Sequence, residues 1–131
     1  MIPKFRAWDK TDKEMYLVDE INFNRGEFES VGNGITFLRG ADKVELMQST
    51  GLRDKNNEEI FEGDVIAIEV DDTEMPINAR VFQNSKIGVL MFHVFEDNED
   101  VPMVELLEDN SVAFEIIGNI HENPELLEVT E

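Results

Sequence analysis

Short apolar runs with a period of two, separated by brief polar breaks, recur along the chain, a pattern that predicts strands joined by tight turns. In residues 1–8, Ile2, Lys4, Arg6 and Trp8 alternate with Pro3, Phe5 and Ala7, which predicts a first strand. The polar stretch DKTDKE at 9–14 reverses the chain and 15–18 returns as an antiparallel partner, giving an N-terminal hairpin. Between 21 and 39 the pieces INF, EFES and ITFL alternate with Arg25-Gly26 and Gly32-Asn33-Gly34, so small strands with tight turns are expected there too.

The stretch 46–68, LMQSTGLRDKNNEEIFEGDVIAI, reads as strand, loop and strand. Residues 46–50 lead into Gly51, a polar excursion over 53–59 has Asn56-Asn57 at its tip, and Ile60 and Phe61 begin the next apolar element. Asparagine suits such a tip because its short amide bonds locally and tolerates a positive φ. Gly63 precedes the alternating run 65–70, in which Ile66, Ile68 and Val70 share a face, and is expected to hold a corner that suits glycine.

Farther on, 71–76 (DDTEMP) reads as an acidic turn, 77–83 as a strand with Ile77, Ala79 and Val81 on one face, and Asn84-Ser85 as the next turn. The run IGVLMFHVF at 87–95 is apolar on both faces, whereas a strand of a small antiparallel barrel ordinarily shows one face to water. Its second face is therefore expected to be covered, by the N-terminal half or by another copy of the chain. After the acidic EDNED at 96–100, which reads as a solvated loop, apolar segments resume at 103–107 and 111–120, the latter with Val112, Phe114, Ile116 and Gly118 on one face. Asn123 as N-cap and Pro124 at the first helical position predict one terminal helical turn over 125–129.

Three of these stretches carry a resemblance. LMQSTGLRDKNNEEIFEGDVI at 46–66 resembles the central motif of the YopX family of phage and prophage proteins, FRAWD at 5–9 resembles that family's opening, and IIGNIHENPELL at 116–127 its closing motif, all in the family's order. Where the family shows Asn-Gly at the turn, this chain has Asn56-Asn57. The resemblance implies a mainly β protein in two parts: a small hairpin-rich N-terminal β subdomain over 1–45, and a C-terminal SH3-like barrel over 46–131 closed by a short helical turn. It implies no activity, since the family is uncharacterised.

Charge is more informative than composition here. The net charge is −19, from 11 Lys/Arg against 30 Asp/Glu, and it is unevenly spread. Residues 1–60 carry nine Lys/Arg against twelve Asp/Glu, whereas residues 61–131 carry only Arg80 and Lys86 against eighteen acids. Nucleic-acid binding rests on cations that neutralise phosphates, so direct binding of DNA or RNA by the second half is disfavoured. Acidity of this kind serves solubility first, and its functional counterpart is a recognition surface for a basic partner. With no cysteine, the chain has no disulfide scaffold, thiol nucleophile or thiolate metal site. The start has no apolar signal-like region and no run of 18 apolar residues occurs, so secretion and membrane spanning are disfavoured and the cytoplasm of a bacterial host is the expected location.

Candidate chemistry is sparse. His93, alone on an apolar strand, reads as a packed, hydrogen-bonded residue in preference to a metal ligand, and His121 as part of a turn. Trp8 reads as a hairpin packing anchor in preference to an exposed binding aromatic. Residues 9–20 and 54–65 superficially match calcium loops, but Lys13 replaces an oxygen ligand, Glu14 and Glu59 stand where glycine is required, and Val65 stands at the bidentate position. The GNG at 32–34 lacks the Lys-Ser/Thr and the following helix of a phosphate cradle. No GxSxG, HExxH or cofactor fingerprint occurs, so no catalytic, cofactor-binding or metal-ligating residue is assigned and no cofactor is expected. The sequence thus predicts a non-catalytic protein-interaction module, alone or as a homo-oligomer, whose protein partner it does not name. The competing expectation is an acidic decoy that imitates DNA and occupies a host DNA-binding protein, and an enzyme without a recognisable motif comes third.

Overall fold

The computed structural model describes residues 4–32, 38–70, 75–84, 88–107 and 112–127. The chain divides into two compact units, Met1–Ser49 and Thr50–Glu131. The division lies inside a strand, Val44–Arg53, that runs without a break from the first unit into the second.

In the first unit, β1 (Phe5–Asp9) and β2 (Glu14–Val18) form the N-terminal hairpin, with Ala7 opposite Tyr16 and Asp9 opposite Glu14. β3 (Glu20–Asn24), β4 (Glu27–Gly32) and β5 (Leu38–Gly40) form a three-stranded antiparallel sheet in that order. Arg25 and Gly26 join β3 to β4 with φ of 54° and 82°, the two positive values that match a tight hairpin turn to the twist of its strands. Residues 33–37, which hold most of the GNG and ITF pieces, lie outside the described residues. A 3-10 turn, Ala41–Lys43, leads into β6 (Val44–Arg53), whose first part pairs with β1 from Asp9↔Val44 to Phe5↔Gln48. Ala7, Val31 and Val44 are buried at the centre of this unit, with Tyr16, Ile21 and Phe28 packed around them. Trp8 is half-buried on β1 opposite Met15 and Glu45, a hairpin position.

The second unit takes up the end of β6 and places β7 (Glu59–Phe61) beside it. β8 (Asp64–Val70), β9 (Ile77–Asn84), β10 (Val89–Val94), β11 (Glu99–Pro102) and β12 (Val112–Asn119) form one antiparallel sheet in the order β11-β10-β9-β8-β12. This sheet is a half-barrel with β11 and β12 at its two ends, so the architecture is mainly β, in three antiparallel sheets. Its core gathers Ile60, Ile66, Val81, Phe92, Met103 and Phe114, the rings of Phe92 and Phe114 lying 5.3 Å apart. β8 is buried on both faces from Asp64 to Ile68, where the sequence pattern singled out only one face.

Three expectations are corrected. The segment 103–107, read as a resumption of the strand pattern, is the short helix α1 (Met103–Leu107), with Met103 buried in the core. Methionine, leucine and glutamate favour helix, and five residues are too few for an apolar period to decide between helix and strand. In β12 the pairing with β8 skips Ile117, so Ile116 faces Ile66 while Gly118 faces Val65, and the alternation that put Gly118 on the face of Val112, Phe114 and Ile116 is broken by this one-residue bulge. On β10, Phe92 and Val94 point into the core and Met91 is buried on the opposite face, but Val89 is 36 % exposed, so the second face is closed over its middle and open at one end.

The chain closes on a 3-10 turn, Pro124–Leu127, opened by the proline as expected. Residues 71–74, 85–87, 108–111 and 128–131 lie outside the described residues, including most of the acidic turn at 71–76 and the end of the expected terminal turn. No helix among the described residues is long and apolar enough to cross a membrane.

Candidate functional site

The buried polar and charged side chains among the described residues are Asp9, Asp54, Asp64 and Asn119, and all four lie in the three motif stretches. Each accepts hydrogen bonds from backbone. Asp9 Oδ1 takes the N–H groups of Thr11 at 2.9 Å and Asp12 at 3.1 Å, while its Oδ2 takes Arg39 Nε at 2.8 Å. The Asp12 N–H, against the opposing effect of burial and together with Arg39 and the Thr11 N–H, holds this carboxyl below the ordinary aspartate value. The Asp of FRAWD is therefore the hinge pin of the first hairpin.

Asp54 does the same for the central loop. Its Oδ1 accepts from Asn56 and Glu58 N–H, both at 2.9 Å, and its Oδ2 from Ile116 N–H on β12 at 3.0 Å. Burial pushes this carboxyl up, but the three N–H donors and the charge of Lys55 outweigh it and leave the carboxyl below its usual value. Asn57 has the positive φ, 66°, that the tip position required, and Lys55 N–H donates to Phe114 O at 2.8 Å. The loop is thus fastened along β12.

The Glu62-Gly63-Asp64 corner is held in three directions. Gly63, at φ 86°, donates its N–H to Val81 O at 2.8 Å and accepts from Ile120 N–H at 2.9 Å, while Asp64 Oδ2 takes Phe61 N–H at 2.8 Å. Beyond the corner, Asn119 Oδ1 accepts from His121 and Glu122 N–H, and Asn123 Oδ1 accepts from Asn119 N–H at 3.1 Å. Asn123 therefore ties the turn back to β12 with its side chain. A Cβ on Gly118 would meet that Asn123 side chain at 2.5 Å, so the close approach requires glycine there. The central and closing motifs are two halves of one junction.

A different arrangement lies on the other face of the half-barrel. Ala79 and Val81 of β9, like Phe92 and Val94 of β10, face the core, so the alternation puts Arg80 and His93 on the opposite face, where they are register partners. They line a cavity of about 450 Å³ with Phe95, Asn98, Ile120 and Leu127. Phe95 and Asn98 come from the turn between β10 and β11, in which Asn98 takes φ 53°, and Ile120 and Leu127 come from the closing segment. His93 Nδ1–H donates to Asp100 Oδ1 at 2.7 Å across the β10–β11 ladder, and its ring meets Phe95 edge-on. The Arg80 guanidinium lies over the Phe82 ring at 5.0 Å and has no ion-pair partner among the described residues.

His93 accordingly stands where the sequence put it, in a hydrogen bond, though beside a cavity. EDNED is exposed from Glu96 to Asp100, but only residues 96–98 are loop as expected: Glu99 and Asp100 open β11, and Asp100 is engaged by His93. Arg80 was visible in the sequence only as one of two late cations. The available signal was its place between Ala79 and Val81, which aims it away from the core. Among the described residues no group of three or more acidic or histidine side chains is placed to hold a metal ion.

The comparisons agree with the architecture. The chain is similar over 98% of its length, and 99% of the other chain, to the crystal structure of protein EF1440 from Enterococcus faecalis, with 28% identity and a TM-score of 0.64. It is similar to the crystal structure of protein yopX from Bacillus subtilis with 20% identity, covering 95% of this chain and 98% of that one, at a TM-score of 0.64. No protein of curated description matches the chain. The family model described as YopX protein matches residues 4–128, nearly the whole sequence, and the chain belongs to the YopX family.

Proposed function

We propose that the chain is a non-catalytic binding module, acting in the cytoplasm. The observation that carries this reading is the use of every buried polar side chain described: Asp9, Asp54, Asp64 and Asn119 all hold backbone N–H groups, so none of them is disposed as a base, nucleophile or ligand. What remains for recognition is the surface and the cavity of the second unit, whose half-barrel we take to be of SH3-like type. The test is capture of partners from bacterial lysate on the immobilised chain at low and high salt. A partner retained at high salt, with no turnover of it by the chain, supports the module; the absence of any specific partner at either salt contradicts it.

The acidic decoy is the second reading, favoured by the eighteen acids against two cations in residues 61–131. In that case duplex DNA displaces the captured protein and binding falls steeply with salt. Several of these acids are already engaged locally, Glu69 and Glu115 with Lys55 and Asp100 with His93, which argues against a regular phosphate-like row and for the module. Self-association belongs to the module reading as one form of binding, and light scattering at high protein concentration reads it directly.

A further inference from the structure

Arg80 is the unusual residue of the second unit. Acids outnumber cations 30 to 11 in the chain, and an ion-pair partner should be easy to find, yet the guanidinium of this half-buried residue donates to no oxygen of a described residue. Its described contact is the face of Phe82, which positions a guanidinium by cation–π attraction and leaves its planar fork of N–H donors unused. None of its nitrogens is among the buried, unpartnered side-chain atoms, so the fork is open to a ligand entering the cavity, and no partner of opposite sign is within the described residues.

The surroundings say what that partner would be. The His93 ring is fixed through Nδ1 by Asp100, so its orientation is set; with the proton on Nδ1, Nε2 is an acceptor, and an oxyanion is left to the Arg80 fork. Asn98 adds an amide to the lining, and Phe95, Ile120 and Leu127 supply apolar surface. A volume of about 450 Å³ lies in the range of small-molecule sites. We propose that this cavity binds an organic oxyanion, a carboxylate or phosphate carried on an apolar body, with the oxyanion on the Arg80 fork and the body against Phe95, Ile120 and Leu127. This rests on the binding-module reading and gives it a ligand class. The surrounding acids oppose the approach of an anion at long range, but exposed charges are screened beyond about 8 Å at roughly 0.15 M salt, whereas a bidentate contact at Arg80 is not.

The experiment is an NMR titration of the full chain at that ionic strength with benzoate and phenyl phosphate, and with inorganic phosphate and benzyl alcohol as the two half-ligands. Saturable shifts of the Arg80 Nε–H and of the amides of His93 and Asn98 are expected with benzoate, phenyl phosphate or both, at least tenfold tighter than with either half-ligand; the two arms tell carboxylate from phosphate. Arg80→Gln should weaken binding at least tenfold, and Arg80→Lys should recover only part, since a point charge lacks the fork. The Arg80 Nε–H signal reads the contact in the unmodified chain, so the proposal stands or falls even if a variant misfolds. Absence of saturable shifts at these groups overturns it, as does equal binding of inorganic phosphate, or unchanged affinity in a folded Arg80→Gln chain. A protein partner captured in lysate equally by the wild type and Arg80→Gln would leave the module reading intact while removing the cavity from it.

Discussion

Asp54 and Arg80 are both charged, both partly withdrawn from water, and both in the second unit, but they differ in what they touch. Asp54 is ringed by backbone N–H groups of its own loop and of β12, and Arg80 rests on a single aromatic ring. A charge whose donors or acceptors all come from the backbone is part of the fold, and removing it leaves those groups without partners. A charge held only by a ring can be changed at little expense to the fold, and its partner is to be sought outside the chain.

The largest expected effect follows from the first half of that contrast. Asp54→Ala leaves three N–H donors without an acceptor and should lower stability by about 3 kcal/mol, seen as a shift of the urea midpoint. Arg80→Gln should change it by less than about 0.5 kcal/mol. Similar losses in the two variants would show that Arg80 is as much a part of the fold as Asp54. Gly63→Val comes next: a β-branched residue at φ 86° is strained and also disturbs the bonds to Val81 and Ile120, so a loss of roughly 1–3 kcal/mol is expected. An unchanged midpoint would show that the corner is not set by its backbone.

Acid sharpens the contrast further. Asp9 and Asp54 both have folded values below the ordinary aspartate pKa, so the stability they contribute is present above about pH 4 and is lost as pH falls through the folded values. Thermal melts between pH 5 and pH 2.5 should therefore show a smaller decline for Asp54→Asn than for the wild type, and parallel curves would contradict the assignment. The smallest effect concerns the acids at large. Eighteen of them against two cations in residues 61–131 repel one another, so added sodium chloride should raise the melting temperature by a few degrees, and a flat or falling response would mean that local pairs such as Lys55 with Glu69 already neutralise the repulsion.

How far these features could be read from the chain depends on their range. The hairpin at 5–18, the Arg25-Gly26 turn, the Asn57 tip and the Gly63 corner are local: a period of two, or a residue that tolerates positive φ, is enough to place them. The bulge at Ile117 is not local, since it depends on how β12 registers against β8. The helix at Met103–Leu107 was hidden because five residues fit either period. Asp9 and Asp54 appeared in the sequence within the FRAWD and central motifs and at the first positions of the two rejected calcium loops; an aspartate opening a polar reversal is also the pattern of a side chain that caps its own turn, and that signal could have found them. The cavity was out of reach altogether, because its residues come from β9, β10, the following turn and the closing segment, and strand pairing alone makes Arg80 and His93 neighbours.

The backbone-bound carboxylates of the motifs hold the fold while the Arg80 cavity binds, and the most direct measurement puts Asp54→Asn and Arg80→Gln side by side for melting temperature and for affinity toward the tighter of benzoate and phenyl phosphate. A lower melting temperature with unchanged affinity is expected for Asp54→Asn, and at least tenfold weaker binding with an unchanged melting temperature for Arg80→Gln. The reverse pattern, with binding lost at Asp54 and stability lost at Arg80, would contradict this division of roles.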